Sequence, residues 1–352
     1  MRKQFVSDIL PGLAECCSRR KLSVLFSVVF LAGIIVFSGC TDITEFDAAF
    51  NGQLHIIFAG DLSTVNTVSG ISGARSLLIY PGNIFIASTE GVVHRYDSET
   101  LAFVGEYQVD SPSPAGFFQM AMDQSAGIAY LIGANGKIVK FSLPDCIVQD
   151  VFGVCQSPVA LAIAPGNPSY LYVGDGPTNT INQVSTSSNM ALASHDLEYP
   201  IKSIAVGLFA DSIIVGTSRS TFLVEELGVG NLRVIDGAAS GCSSIDDIPN
   251  DTIYVVTAGN SVGVLRFYKD PAPGDPSAEF LGEVEIEGIS HFVAAGNDWQ
   301  HSYVLSYIGD NTSRLTSYNH AFFRIDQQVE IPGFPLDLKV SGSNVIYALT
   351  YE

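Results

Sequence analysis

The sequence predicts an all-β chain folded as a seven-bladed β-propeller with four-stranded blades. Three observations predict it. Apolar runs of four to eight residues are separated by Gly, Asn, Asp, Ser and Pro, which is the pattern of many short strands joined by tight turns. These runs recur in groups of four with a period of about 35–46 residues, the repeat length of propeller blades. The two ends of the chain carry complementary half-units. No convincing amphipathic helical stretch follows Cys40, and 33 glycines among 352 residues with only 15% charged residues suit strands and turns.

The first complete unit is Ser76–Val109, with strands at Leu77–Tyr80, Ile84–Ser88, Val92–Tyr96 and Phe103–Val109. Its breaks, Pro81-Gly82-Asn83, Glu90-Gly91 and Asp97–Thr100, are turn-forming. The second unit repeats it as FQMAMD, IAYLIG, KIVKFS and a strand near Ile147–Phe152. The third runs ALAIAPGNPSYLYVGD, TINQVST and MALASHDL; the fourth KSIAVG, DSIIVGTS, STFLVEEL and LRVIDG. The fifth is IDDIPNDTIYVVTAGNSVGVLRFYK, the Pro-rich turn Asp270–Ser277 and EFLGEVEI, and the sixth begins HFVAAGNDW and ends FFRIDQQVEI. The C-terminal LDLKVSGSNVIYALTYE supplies two strands, and the N-terminal LHIIFAGDLSTVNTVSG supplies two that read as a third and a fourth. Pairing Leu338–Thr350 with Leu54–Asp61 completes a seventh blade and closes the ring. Units five and six are irregular, which leaves six or eight blades open. Residues 51–352 are assigned to the propeller.

Ahead of it, Arg19-Arg20-Lys21 precedes an apolar run, Leu22–Phe37, and then Ser38-Gly39-Cys40. A basic segment, a short apolar core and small residues form a secretory signal. At 16 residues the core is short for a spanning helix of about 20. The small pair directly before a cysteine resembles the lipobox of bacterial lipoproteins, with Phe37 where an aliphatic residue is commoner. The resemblance implies a signal peptide over 1–39, lipidation at Cys40, a tether over 40–50 and no transmembrane segment after processing. An uncleaved signal-anchor is the alternative. Thr41 follows the cysteine, and the resemblance then favours the outer membrane over retention at the inner one.

Removing residues 1–39 takes away five basic and two acidic residues and leaves 12 Lys+Arg against 34 Asp+Glu, a net of −22. Such a chain repels nucleic acid and anionic headgroups, so nucleic acid is not an expected partner. Of the cysteines after Cys40, Cys146 and Cys155 flank the run Ile147–Val154 and are the candidate disulfide of an oxidising compartment, leaving Cys242 over.

The segments Ser169–Thr186 and Thr252–Phe267, with the pairs Tyr172-Val173 and Tyr254-Val255 followed by a Gly/Asn turn and an alternating strand, resemble the YVTN-type repeats of bacterial surface and periplasmic propellers. Ile84–Tyr96 and Ile128–Phe141 are looser relatives. The WD dipeptide of WD-repeat proteins is missing, and the single tryptophan, Trp299, argues against Trp-docking repeats.

Propeller ligands meet at the central channel, near the starts of the innermost strands. Those positions hold Arg75, Gln119, Lys202, Asp246, Asp247, His291 and Asp337, a ring suited to a polar or anionic ligand or a metal ion. Consecutive strand residues face opposite ways, so only one of Asp246 and Asp247 can point inward. The chain carries no Asp-x-Asp-x-Asp-Gly loop, no histidine pair at metal-ligand spacing and no GxSxG elbow, so neither metal nor cofactor is expected. Two functions follow. One is a non-enzymatic scaffold whose loops read a protein or glycan, the Pro-rich loop Lys269–Ser277 being the longest insertion. The other is a hydrolase of lactonase type, which some YVTN-related propellers are. A channel ring without Glu favours binding.

Overall fold

The computed structural model describes residues 51–352 apart from 113–118, 134, 165–166, 207–212, 225–231, 237–241, 249–251, 258–261, 270–278, 297 and 299; for Cys242, Asp247 and His291 it describes the backbone and not the side chain. The chain divides into two compact units, Met1–Ile43 and Thr44–Glu352. The first unit lies outside the described residues, as do Cys40, the tether 40–50 and loop residues 270–277. No helix among the described residues is long and apolar enough to cross a membrane.

The described residues form 28 strands in seven four-stranded sheets. Strands are numbered along the chain, and the first complete blade, blade 1, is β3 (Ala74–Tyr80), β4 (Asn83–Ser88), β5 (Val92–Asp97) and β6 (Phe103–Gln108). Blade 2 is β7 (Met120–Asp123), β8 (Ile128–Ile132), β9 (Ile138–Ser142) and β10 (Ile147–Phe152); blade 3 is β11 (Pro158–Ala164), β12 (Asn167–Asp175), β13 (Thr180–Ser185) and β14 (Ala191–Asp196). Blade 4 is β15 (Ile201–Val206), β16 (Ile213–Thr217), β17 (Thr221–Val224) and β18 (Leu232–Asp236). Blade 5 is β19 (Cys242–Ile248), β20 (Thr252–Thr257), β21 (Val262–Lys269) and β22 (Glu279–Glu287); β19 starts at Cys242, ahead of the Ile245 that the sequence suggested. Blade 6 is β23 (Ile289–Ala295), β24 (His301–Gly309), β25 (Thr312–Asn319) and β26 (Arg324–Pro332). Blade 7 joins the ends: β27 (Phe334–Val340) and β28 (Val345–Tyr351) with β1 (Asn51–Phe58) and β2 (Thr64–Ser72), in the order β27-β28-β1-β2. The closing pair is antiparallel with Leu54 opposite Leu349. The innermost strands β3, β7, β11, β15, β19, β23 and β27 touch in succession, and β27 touches β3, so the ring is shut.

Period-two alternation explains why these runs are strands buried on both faces. In β4, Ile84 and Ile86 face blade 7 and pack with Leu54 and Leu349, whereas Phe85 and Ala87 face blade 2 and pack with Ala129 and Leu131. Similar layers join blades 2 and 3 through Tyr130 and Leu171, 3 and 4 through Tyr172 and Val215, 5 and 6 through Phe267 and Val304, and 6 and 7 through Leu315 and Ile346. Each such side chain withdrawn from water contributes about 1.5–3 kcal/mol. Turn chemistry sets the blade edges. Gly91 sits at φ +79° in the β4–β5 turn, where an added Cβ would strike the Asp110 carbonyl.

His55 stitches the closing blade: its Nε2 lies 3.0 Å from Thr350 Oγ1 on β28 and its Nδ1 3.3 Å from Thr67 Oγ1 on β2. Burial lowers its pKa, so the neutral ring bonds both hydroxyls. Burial also lowers His94, and it takes His320 down to about 4.

The disulfide expected between Cys146 and Cys155 is not formed; both are free thiols. The extended strand β10 runs between them, and six residues at about 3.3 Å each far exceed the roughly 7 Å that a bridge can span. Cys146 packs between blades 1 and 2 and Cys155 between blades 2 and 3. Burial pushes both thiols up to about 12, so they stay protonated at neutral pH.

Two outcomes test this fold. Deleting residues 333–352 removes β27 and β28, exposes two sheet edges and should turn the protein into an aggregating species by light scattering; a monomer melting like the full chain would contradict closure. The three lowered imidazoles bind protons in the unfolded chain before they do in the fold. Unfolding free energy should therefore fall as pH drops below about 6.5, the free-histidine value, down to the folded values. Urea titrations across pH 7.5 to 4.5 measure it. His301, whose pKa is raised, acts in the opposite sense.

Candidate functional site: the central channel

Each innermost strand has a ladder partner on one side only, so alternate N–H groups on its other edge need acceptors from elsewhere. The strands meet this need in a repeated way. Six of them carry a register shift near the start, between Ala74 and Ser76, Pro158 and Ala160, Ile201 and Ser203, Cys242 and Ser244, Ser290 and Phe292, and Pro335 and Asp337. Each bulge holds one extra residue and re-aims the side chain that follows it. After three of the bulges that following side chain reaches the next blade, and in blade 2, where β7 has no register shift, Gln119 just ahead of the strand does the same. Asp337 Oδ2 accepts from Leu77 N at 2.8 Å, Ser76 Oγ from Met120 N at 3.2 Å, Gln119 Oε1 from Leu161 N at 2.8 Å and Ser244 Oγ from Val293 N at 3.3 Å. A second rung lies deeper, where Asp246 Oδ2 accepts from Ala295 N at 2.7 Å. The clasps all run in one direction and link blades 7, 1, 2 and 3 in series, and 5 to 6.

Inside this ring is a cavity of about 590 Å³, lined from six blades by β7 with its preceding residue, β11, β15, β19, β23 and β27. Of the seven channel positions read from the sequence, Gln119, Lys202, Asp246 and Asp337 line it. Arg75, the bulge residue of β3, is not among the lining residues; it is partly buried, and burial lowers its pKa against the opposing influence of Tyr351. The backbones of Asp247 and His291 lie in β19 and β23, and their side chains are outside those described.

Three of the four lining residues are occupied structurally. Asp337 accepts from Leu77 N and also from Ser76 Oγ at 3.3 Å and Leu338 N at 2.8 Å. Lys339, which the sequence reading missed, also lines the cavity, its Nζ 3.6 Å from Asp337 Oδ1. The Asp337 charge raises its pKa, burial opposes this, and Asp246 adds to the rise. Its side chain keeps 41% exposure. Lys339 stands three residues after its bulge, as Asp246 does, a repeat equivalence that could have revealed it.

A second polar cluster lies away from the channel. His301 Nδ1 meets Asp298 Oδ2 at 2.5 Å and Nε2 meets Asp326 Oδ2 at 3.1 Å, with Arg324 Nε 3.0 Å from Asp326 Oδ1. Desolvation pulls the His301 pKa down, but the two carboxylates outweigh it and the net shift is upward. The imidazolium ties β24 to β26. With both ring nitrogens held by carboxylates, none is left to activate a hydroxyl. Among the described residues no group of His, Cys, Asp and Glu has metal-binding geometry.

Asp337→Ala should strip the acceptor from three donors, two of them in the next blade, and destabilise the fold by about 1–3 kcal/mol, read as a lower urea midpoint with unchanged slope. An unchanged midpoint would show that the clasp carries no weight.

No protein-family model matches the chain, and no curated protein matches it. Solved structures do. The WD40 repeats of RRP9 align with a TM-score of 0.62 at 13% identity over 85% of this chain and 98% of that one. U3-55K aligns at 0.62 and 13% over 84% and 98%. The β-propeller domain of Cps50 (Swd1) from Myceliophteria thermophila aligns at 0.65 and 10% over 84% and 99%. At such identities the likeness lies in the backbone, and it shows a β-propeller fold.

Proposed function

We propose that this chain is a lipid-anchored, extracytoplasmic propeller, akin to the YVTN-repeat proteins of the bacterial envelope, that acts as a binding scaffold and not as a hydrolase. The observation that carries the reading is where its exposed apolar side chains lie. In antiparallel four-stranded blades the first-to-second and third-to-fourth turns fall on one face of the disc. Among the described residues, thirteen of the fifteen large exposed hydrophobics cluster around third-to-fourth turns, in six of the seven blades: Val65, Phe103, Ile147, Met190, Phe280 and Phe322 represent them. Exposed Asp61, Glu99, Asp145 and Glu279 stand among them. An apolar rim of this extent marks an interaction surface, and its carboxylates suit a protein partner with a basic periphery. A glycan stacked on the aromatic residues is the alternative occupant.

The anchor fits this orientation. β1 is the third strand of its blade, so Asn51 enters the ring at the opposite face. A lipid on Cys40 would hold that face towards the membrane, the outer membrane on the reading of Thr41, and turn the rim outward. Three acyl chains, as on a mature lipoprotein, suffice for stable anchoring. Against the lactonase reading, Asp246 and Asp337 accept backbone N–H groups and both His301 nitrogens are bound by carboxylates, so these groups are committed to the fold.

In-cell photo-crosslinking tests this. A photoreactive residue at Phe103, Met190 or Phe322 should trap one defined protein, whereas placement at exposed Ser111 or Asp310 on the other face should not. Cys40→Ser should abolish labelling by a palmitate analogue. Equal trapping from both faces, an unlabelled wild type retaining residues 1–39, or turnover of lactones lost in Asp246→Ala would overturn the reading.

A further inference from the structure

We propose that the central channel binds small organic anions, a carboxylate head on the ammonium groups of Lys202 and Lys339 and an apolar body against Met122 and Phe292. All four residues line the one cavity of about 590 Å³, within the range of small-molecule sites.

The charges of the lining are unevenly engaged. Formally Lys202 and Lys339 match Asp246 and Asp337. The carboxylates, however, are taken up by the scaffold: Asp337 accepts from Leu77 N, Ser76 Oγ and Leu338 N, and Asp246 from Ala295 N. Each such donor offsets part of the negative charge. The ammonium groups are engaged less. Lys339 forms an ion pair with Asp337 at 3.6 Å through one carboxylate oxygen, and its side chain remains partly open to solvent. Lys202 lines the cavity from the bulge of β15, and among the described residues no carboxylate reaches it. An ammonium carries three donors. The two ammonium groups thus keep donors that the scaffold contacts among the described residues do not use, and the ligand group complementary to them is an anion. Met122 and Phe292 give part of the wall an apolar surface beside the charges, which favours an anion with a hydrophobic body over inorganic phosphate.

Titration calorimetry on the full chain in detergent tests it with 2-naphthoate, 2-naphthylmethylammonium, 2-naphthalenemethanol and inorganic phosphate. One saturable 2-naphthoate site is expected, at least tenfold tighter than for the cation or the alcohol, with phosphate weaker still. Lys202→Met should weaken 2-naphthoate at least fivefold while leaving the melting temperature unchanged, since Lys202 makes no clasp; Lys339→Met should do the same, its fold checked by circular dichroism. Absence of saturable 2-naphthoate binding, equal affinity for all three naphthyl compounds, or affinity unchanged by Lys202→Met would overturn the proposal. These outcomes are independent of lipidation and of the crosslinking partner.

Discussion

The free edge of the innermost strand is the constraint on which the rest of the ring depends. A β-strand with one ladder neighbour leaves every second N–H and C=O without a partner, and near the axis of a ring there is no further strand to supply one. Here the start of the strand, shifted by a bulge at Ser76, Ser244 and Asp337 and unshifted at Gln119, places a side-chain acceptor opposite the N–H of the next blade. Ser76, Gln119, Ser244 and Asp337 use different chemistry, hydroxyl, amide and carboxylate, for the same bond. What repeats is therefore a geometric position, not a residue type. Ala160 and Phe292 occupy that position in blades 3 and 6, where side chains without an acceptor leave the apolar layers to hold the neighbours together.

The blades were legible in the sequence because burial on both faces writes a plain signal. Residues such as Ile84, Phe85, Ile86 and Ala87 must all be apolar when one pair faces blade 7 and the other blade 2, and the run stops where the turn begins. The half-units at the ends were legible for the same reason: Leu54 and Leu349 each need a strand beside them. Alternation alone did not reveal the bulges. A single extra residue shifts the facing of those beside it, so Arg75, Lys202 and His291, the bulged residues, were grouped with Gln119 and Asp337, the residues that clasp. Lys339 lies deeper on its strand than the strand starts at which channel ligands are expected. The Asp298–His301–Asp326 cluster joins two strands and a turn with no motif spacing, so only folding brings it together. The cysteine spacing misled because nine residues of chain are close in sequence but far apart when drawn out as a strand.

The clasps also reshape what the channel offers. Polar residues that look like a ligand ring are in part the fastening of the ring, and the groups left over are the ammoniums. Catalytic carboxylates need lone pairs directed at a substrate, whereas those of Asp246 and Asp337 are directed in part at backbone. The exterior carries a separate asymmetry, with apolar side chains gathered on the face away from the entry of β1. Rim and channel are thus distinct surfaces on one scaffold, and fold-level likeness to other propellers decides the use of neither.

Native-state hydrogen exchange tests the central claim most directly. The amides of Leu77, Met120, Leu161, Val293 and Ala295 lie on strand edges without a ladder partner but donate to side chains of the preceding blade. The clasped ring predicts that they exchange as slowly as the ladder amides of the same strands, and that Asp337→Ala releases Leu77 while Leu161 stays protected. Exchange of all five at the rate of open edge amides would contradict it.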